Sequence, residues 1–118
     1  MNDAATAQQP RDMRQFARDA IELLGDADAA ALAGDKMRQY AVTRALELVG
    51  EAAAQVARDV QATMPAIPWR EAIGTRHRLI HGYGSVDLGT LVETVRTHLP
   101  PLIADVSRSL GDEPPDSA

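Results

Sequence analysis

Apolar residues recur every three or four positions at Met13, Phe16, Ala17, Ala20, Ile21 and Leu24, and Gly25 follows. This spacing predicts an amphipathic first helix ending at the glycine. A second run steps by four and three through Val42, Leu46, Val49, Ala53, Val56 and Val60, with Ala41, Ala45, Leu48 and Ala52 as an adjacent stripe. Two apolar stripes require burial on two sides, which predicts a central bundle helix continuing unbroken to Val60. The segment from Asp26 to Gly34 is alanine-rich and reads as either a loop or a short helix.

Pro65 and Pro68 interrupt the pattern, and Pro68 with Trp69-Arg70-Glu71 predicts the opening of a third helix, because proline suits a first turn. Trp69, Ala72, Ile73, Leu79 and Ile80 would face inward, and Gly82 and Gly84 would end the helix. Ser85 or Asp87 then caps a fourth helix with Leu88, Leu91, Val92 and Val95 on its apolar side. Pro100 and Pro101 start a last segment through Leu102, Ile103, Val106 and Leu110. No β-branched alternation and no internal repeat is present. The expected fold is all-α, an antiparallel bundle of four main helices plus a short C-terminal helix.

The ends have a different character. Residues 1–10 are small and polar and close on Pro10, and residues 111–118 offer nothing to bury, so both are expected to be disordered tails around one helical domain at 11–110. A length of 118 residues fits a single domain, and 45% apolar with 3% aromatic residues implies a core of Ala, Leu, Val and Ile. The chain has no long apolar run to span a membrane, and its start lacks the basic and apolar regions of a signal peptide, which points to a cytoplasmic protein. Absence of cysteine excludes disulfides, thiolate metal sites and thiol nucleophiles. A net charge of −5 argues against a surface coated with nucleic acid, so any such contact must be local.

One stretch is locally basic and chemically dense. From Trp69 to His81 the chain carries Arg70, Arg76 and Arg78 against Glu71, a formal +2. Within it begins Arg76-His77-Arg78-Leu79-Ile80-His81-Gly82-Tyr83, which holds two of the three histidines and one of the two tyrosines. An imidazole transfers protons near neutral pH, and a guanidinium clamps a phosphate in a bidentate fork. Together they suffice to cut RNA without a metal. A solvated basic helix turn would have much the same composition. Read as a helix at about 100° per residue, His77 and His81 lie at about 100° and 140° from Arg76, so the three share one sector.

The spacing Arg76-x4-His81-x-Tyr83 resembles the signature of the HEPN superfamily, and its surroundings resemble the HepT-like ribonuclease toxins within it. The supporting pieces occur in family order: Lys36-Met37-Arg38-Gln39-Tyr40-Ala41-Val42, then Arg44 to Ala53, Ile67-Pro68-Trp69, Gly74, Val86-Asp87 and Leu99-Pro100. The resemblance covers about Met13 to Leu110. It implies a homodimer paired through the signature helix, a composite cleft for an RNA substrate such as mRNA or tRNA, His81 as general acid or base, and Arg76 on the scissile phosphate. Arg70 and Arg78 would add RNA contacts. Tyr83 would be the residue on which a cognate minimal nucleotidyltransferase antitoxin places AMP, and no cofactor or metal is implied. This chain departs from the pattern at His77, where relatives often carry Asn, at Thr75, commonly Met, and at Gly84, often Phe. Because His77 can ionise, it is a candidate auxiliary proton group; the other two read as packing changes.

Two other readings compete. In one, a noncatalytic dimer of the same fold binds a nucleotide or a nucleotidyltransferase partner. In the other, His77, His81 and Asp87 hold zinc, although the chain lacks the glutamate that follows the first histidine in the helical metalloprotease motif. Arg44, Glu47 and Glu51 read as ordinary ion pairs, and His98 as a helix C-terminal residue favoured by the dipole.

Overall fold

The computed structural model describes the backbone at residues 3–75, 80–81 and 85–112, and the side chains of 8–75 and 86–112. Among the described residues the chain is all-α apart from one very short strand pair.

The first helix, α1 (Asp3–Leu24), buries Met13, Ala17, Ala20 and Leu24 completely, four positions of the expected stripe. Gly25 ends it at φ +56, a left-handed conformation that glycine adopts without the Cβ penalty. Its start corrects the expected N-terminal tail. The helix is already formed at Asp3, and Pro10 lies inside it, fully buried. A proline here sacrifices one helical hydrogen bond, and burial of its ring offsets that loss.

The alanine-rich segment forms a short helix, α2 (Ala29–Ala33), capped by the Asp28 carboxylate, which accepts from the Ala31 N–H at 2.8 Å. Asp35 caps α3 (Lys36–Ala54) in the same way, through the Arg38 N–H. Helix α3 buries Val42, Ala45, Leu46, Val49, Ala52 and Ala53, residues of both expected stripes. It packs against α1, α2 and α5 (Trp69–Ile73).

The expected run to Val60 is divided. Helix α3 stops at Ala54, Val56 is buried in the turn, and α4 (Arg58–Ala62) carries a half-buried Val60. The Gln61 side-chain amide donates to the Val56 carbonyl at 3.0 Å, supplying a partner to a backbone group in the break. No glycine or proline marks this turn. Pro68 does open α5 as expected, and the Trp69 indole N–H donates to the Gln61 and Met64 carbonyls, tying α5 to the preceding turn. Of the expected inward residues in α5, Ala72 is buried and Trp69 half-buried, whereas Ile73 is exposed.

After the strands β1 (Ile80–His81) and β2 (Ser85–Val86), one helical run extends from α6 (Leu88–Glu93) through a π-helical turn (Thr94–His98) into α7 (Leu99–Ser109). The Asp87 carboxylate caps α6 by accepting from the Thr90 N–H at 3.0 Å. The π-turn has a sequence cause. Pro100 and Pro101 offer no N–H to the carbonyls of Arg96 and Thr97, and their rings would clash with those carbonyls in a regular helix. The chain widens instead, with the Leu99 N–H reaching the Thr94 carbonyl five residues back. Leu91, Val95 and Leu99 all remain buried through the widened turn. His98 therefore sits inside a continuous run, which corrects its expected place at a helix C-terminus.

Helix α1 packs between α3 and α7. Arg96 reaches back from the π-turn to the Gly25 and Ala27 carbonyls, at 3.1 and 2.6 Å, binding the end of α1. At the other end, Asp112 pairs with Arg14 at 2.9 Å and Arg11 at 3.5 Å, so the segment expected to be free from 111 onward is docked at least through Asp112.

Candidate functional site

The site is approached along α5, whose position is set by a close backbone contact. A Cβ built on Gly50 of α3 would lie 3.3 Å from the Ile73 carbonyl oxygen and 3.5 Å from that of Ala72. Glycine at this position lets the end of α5 rest on α3. Gly74 then ends α5, its N–H bonded to the Arg70 carbonyl at 3.0 Å. Thr75 follows, 2% exposed, with its hydroxyl donating to the Glu71 carbonyl at 3.0 Å. A buried threonine satisfied four residues back agrees with the packing role expected of this departure. The next residue in the chain is Arg76.

Arg76, His77, Arg78 and Leu79 lie outside the described residues, as do Gly82, Tyr83 and Gly84. The backbone of His81 is described, and it corrects the helical projection: Ile80–His81 is extended and pairs antiparallel with Ser85–Val86, in the register Ile80 to Val86 and His81 to Ser85. The third helix thus does not run on through His81. Instead, His81 and Ser85 bracket the three-residue connection 82–84, which carries Tyr83 between two glycines.

Two concavities flank α5, and they differ in charge. On one side a groove of about 720 Å³ is lined by Arg58, Gln61, Trp69, Arg70, Ile73 and Gly74, among others, and no carboxylate borders it among the described residues. On the other a cleft of about 170 Å³ is formed by Glu71, Ala72 and Thr75 against Thr94, Thr97 and His98. Both reach the end of α5, where the signature begins. Arg70, expected as an RNA contact, is exposed on the basic side. Arg58 shares that side and was not singled out by sequence, since only the break between α3 and α4 brings it opposite Arg70; its signal would have been a second basic residue shortly before the Pro-bounded helix.

Elsewhere several arginines are engaged. Arg44 holds Glu51 at 2.9 Å and Glu47 at 3.4 Å, and the hydrogen bond it donates to the Glu51 carboxylate raises its already high pKa. These are the ion pairs expected on α3. Asp87, the carboxylate of the zinc alternative, commits one oxygen to capping α6.

The match to known proteins covers almost all of this framework. The family model described as "Ribonuclease HepT-like" matches residues 13–109, from the buried Met13 of α1 to the last residue of α7. The chain belongs to the HepT-like ribonuclease family. A relative in Methanocaldococcus jannaschii, named "Putative RNase MJ1380", is 37% identical to this HepT-like chain over 95 residues, covering 80% of this chain and 87% of the relative. A Thermococcus cleftensis relative named "Probable ribonuclease HepT" is 46% identical over 68 residues, 58% of this chain and 62% of the relative. No solved structure matches the HepT-like chain. Its membership gives the Arg76 to Tyr83 segment a functional context that a basic turn alone lacks.

Proposed function

We propose that this chain is a metal-independent endoribonuclease, the toxin of a toxin–antitoxin pair, acting on RNA such as mRNA or tRNA. The observation that carries the reading is the family match across residues 13–109, which encloses the whole Arg76-x4-His81-x-Tyr83 signature. Cleavage by the 2′-hydroxyl requires a base for that hydroxyl, charge stabilisation at phosphorus and an acid for the leaving 5′-oxygen. One imidazole serves these two proton transfers poorly at once. Two protomers of the helical bundle, paired through the signature segment, would supply two copies of His81 for the transfers and two of Arg76 for the phosphate oxygens. His77 would join as an auxiliary proton group, with Arg70 and Arg78 contacting flanking phosphates.

Tyr83 carries the regulation in this reading. Its place in the three-residue connection between His81 and Ser85 puts it two residues from the acid–base histidine. AMP transferred to it by a cognate nucleotidyltransferase antitoxin would add a phosphodiester charge and bulk beside the RNA phosphate site, repelling substrate. The test is cleavage by the purified chain in EDTA: RNA should be cut by wild type and left intact by Arg76→Ala. Co-expression with the nucleotidyltransferase should raise the intact mass by an adenylate, and Tyr83→Phe should remove that increment. A purified dimer that binds RNA or nucleotide and never cuts would instead support the noncatalytic alternative.

A further inference from the structure

We propose that the groove between α4 and α5 is a track for the flank of a single-stranded RNA, with Arg58 and Arg70 holding its phosphates and the Trp69 ring offering a stacking surface to a base. This rests on the ribonuclease reading above and adds to it a form of substrate and a residue, Arg58, outside the signature.

The charge pattern selects this side of α5. Arg11, Arg14, Arg38, Arg44 and Arg108 are all paired with carboxylates, and Arg96 is bound to two backbone carbonyls. Among the described arginines, Arg18, Arg58 and Arg70 pair with no carboxylate; Arg18 is half-buried on α1, whereas Arg58 and Arg70 are both exposed and line the same groove. A chain of net charge −5 has few places where a phosphate would be welcome. The opposite flank of α5 is lined by Glu71, Thr75, Thr94, Thr97 and His98 and carries no arginine among its described lining residues.

Shape and aromatic content select the strand form. At about 720 Å³ the groove falls in the range of roughly 300–1,000 Å³ typical of small-ligand sites, enough for a nucleotide-sized segment. Trp69 is half-buried against the core with its indole N–H donating to the Gln61 and Met64 carbonyls, and it lines the groove with Arg58 and Arg70. Basic groups interleaved with an aromatic face are how unpaired strands are gripped without sequence preference. The groove is lined by Ile73 and Gly74, the latter two residues before Arg76 in the chain.

The experiment is a titration of the full chain, carrying His81→Ala to prevent cleavage, with a labelled single-stranded RNA oligonucleotide at salt concentrations from 50 to 200 mM. Arg58→Ala and Arg70→Ala should each weaken binding and flatten the dependence of log affinity on log salt by about 0.7, the value of one single-strand phosphate contact. Arg58→Lys should retain the slope, and a duplex of the same sequence should be insensitive to Arg58→Ala. Unchanged affinity and slope in both alanine variants, or an equal loss with the duplex, would overturn the proposal. The two readings separate in cleavage assays on chains that retain His81: if Arg58→Ala leaves KM for a long RNA unchanged while His81→Ala stops cleavage, the track fails and the ribonuclease stands. If the parent chain binds RNA through Arg58 yet never cuts it, the track stands and the ribonuclease fails.

Discussion

Arg44 and Arg58 stand on consecutive helices and both face solvent, yet their electrostatic settings are opposite. Arg44 lies three and seven residues from Glu47 and Glu51 on the same helix, and the nearer contact, at 2.9 Å, is with Glu51. Its charge is consumed locally, and the outer face of α3 offers little attraction to a polyanion. Arg58 lies beyond the break after Ala54 and faces a groove shared with Arg70 that has no carboxylate among its described lining residues. The difference teaches that the number of basic residues is a poor guide to where an anion binds in an acidic protein. What matters is which guanidinium groups the fold has left without a counter-charge.

The largest effect expected on the working face is at His81. His81→Ala should lower kcat for RNA cleavage by about 10² to 10⁴, the usual worth of general acid–base catalysis, while circular dichroism retains the helical signal. A kcat within a few-fold of wild type would remove His81 from the chemistry and blunt the contrast between the two faces.

The support beneath that face comes next. Gly50→Ala places a methyl 3.3 Å from the Ile73 carbonyl and should cost about 1–3 kcal/mol in denaturant unfolding, with cleavage reduced because the end of α5 must move. Gly34→Ala is the matched control. There the new carbon meets nothing nearer than the Ala31 carbonyl at 3.9 Å, and the variant should be neutral or slightly more stable. Equal effects at the two glycines would show that α5 is not held through Gly50.

Asp87→Ala removes the cap of α6 and should cost about 1 kcal/mol in the same unfolding measurement, with Asp87→Asn retaining most of it. Smallest of all is Arg44→Ala. It should leave RNA affinity, its salt slope and kcat unchanged, since the guanidinium is already matched by two carboxylates. A drop in affinity comparable to that of Arg58→Ala would erase the comparison altogether.

The amphipathic stripes were legible because a helix face repeats every three to four residues whatever it packs against. Met13 through Leu24, Val42 through Ala53, the Asp87 cap and the opening at Pro68 all occur where local pattern placed them. The division of the second helix after Ala54 was not legible, since the apolar spacing continues to Val60 and no glycine or proline intervenes. Pro10 misled in the opposite direction: it reads as a boundary, and the fold buries it inside α1. The strand at His81 was hidden by the same kind of pattern. Leu79 and Ile80 fit a helical continuation, while the pairing of His81 with Ser85 is a contact between residues on either side of a short connection.

By itself the sequence determined the helical class, most of the core and the chemistry at hand, because periodicity, capping residues and side-chain type are local properties. It also carried the signature whose ordered surroundings mark the HepT-like family, and the match over residues 13–109 agrees. Only the tertiary structure decided that His81 leaves the helix for a strand, that α5 rests on Gly50, and that Arg58 and Arg70 line one groove while Arg44 is neutralised. Those outcomes depend on which surfaces meet when the helices pack and on which charges are then left facing each other. Distances across the fold are not encoded in spacing along the chain.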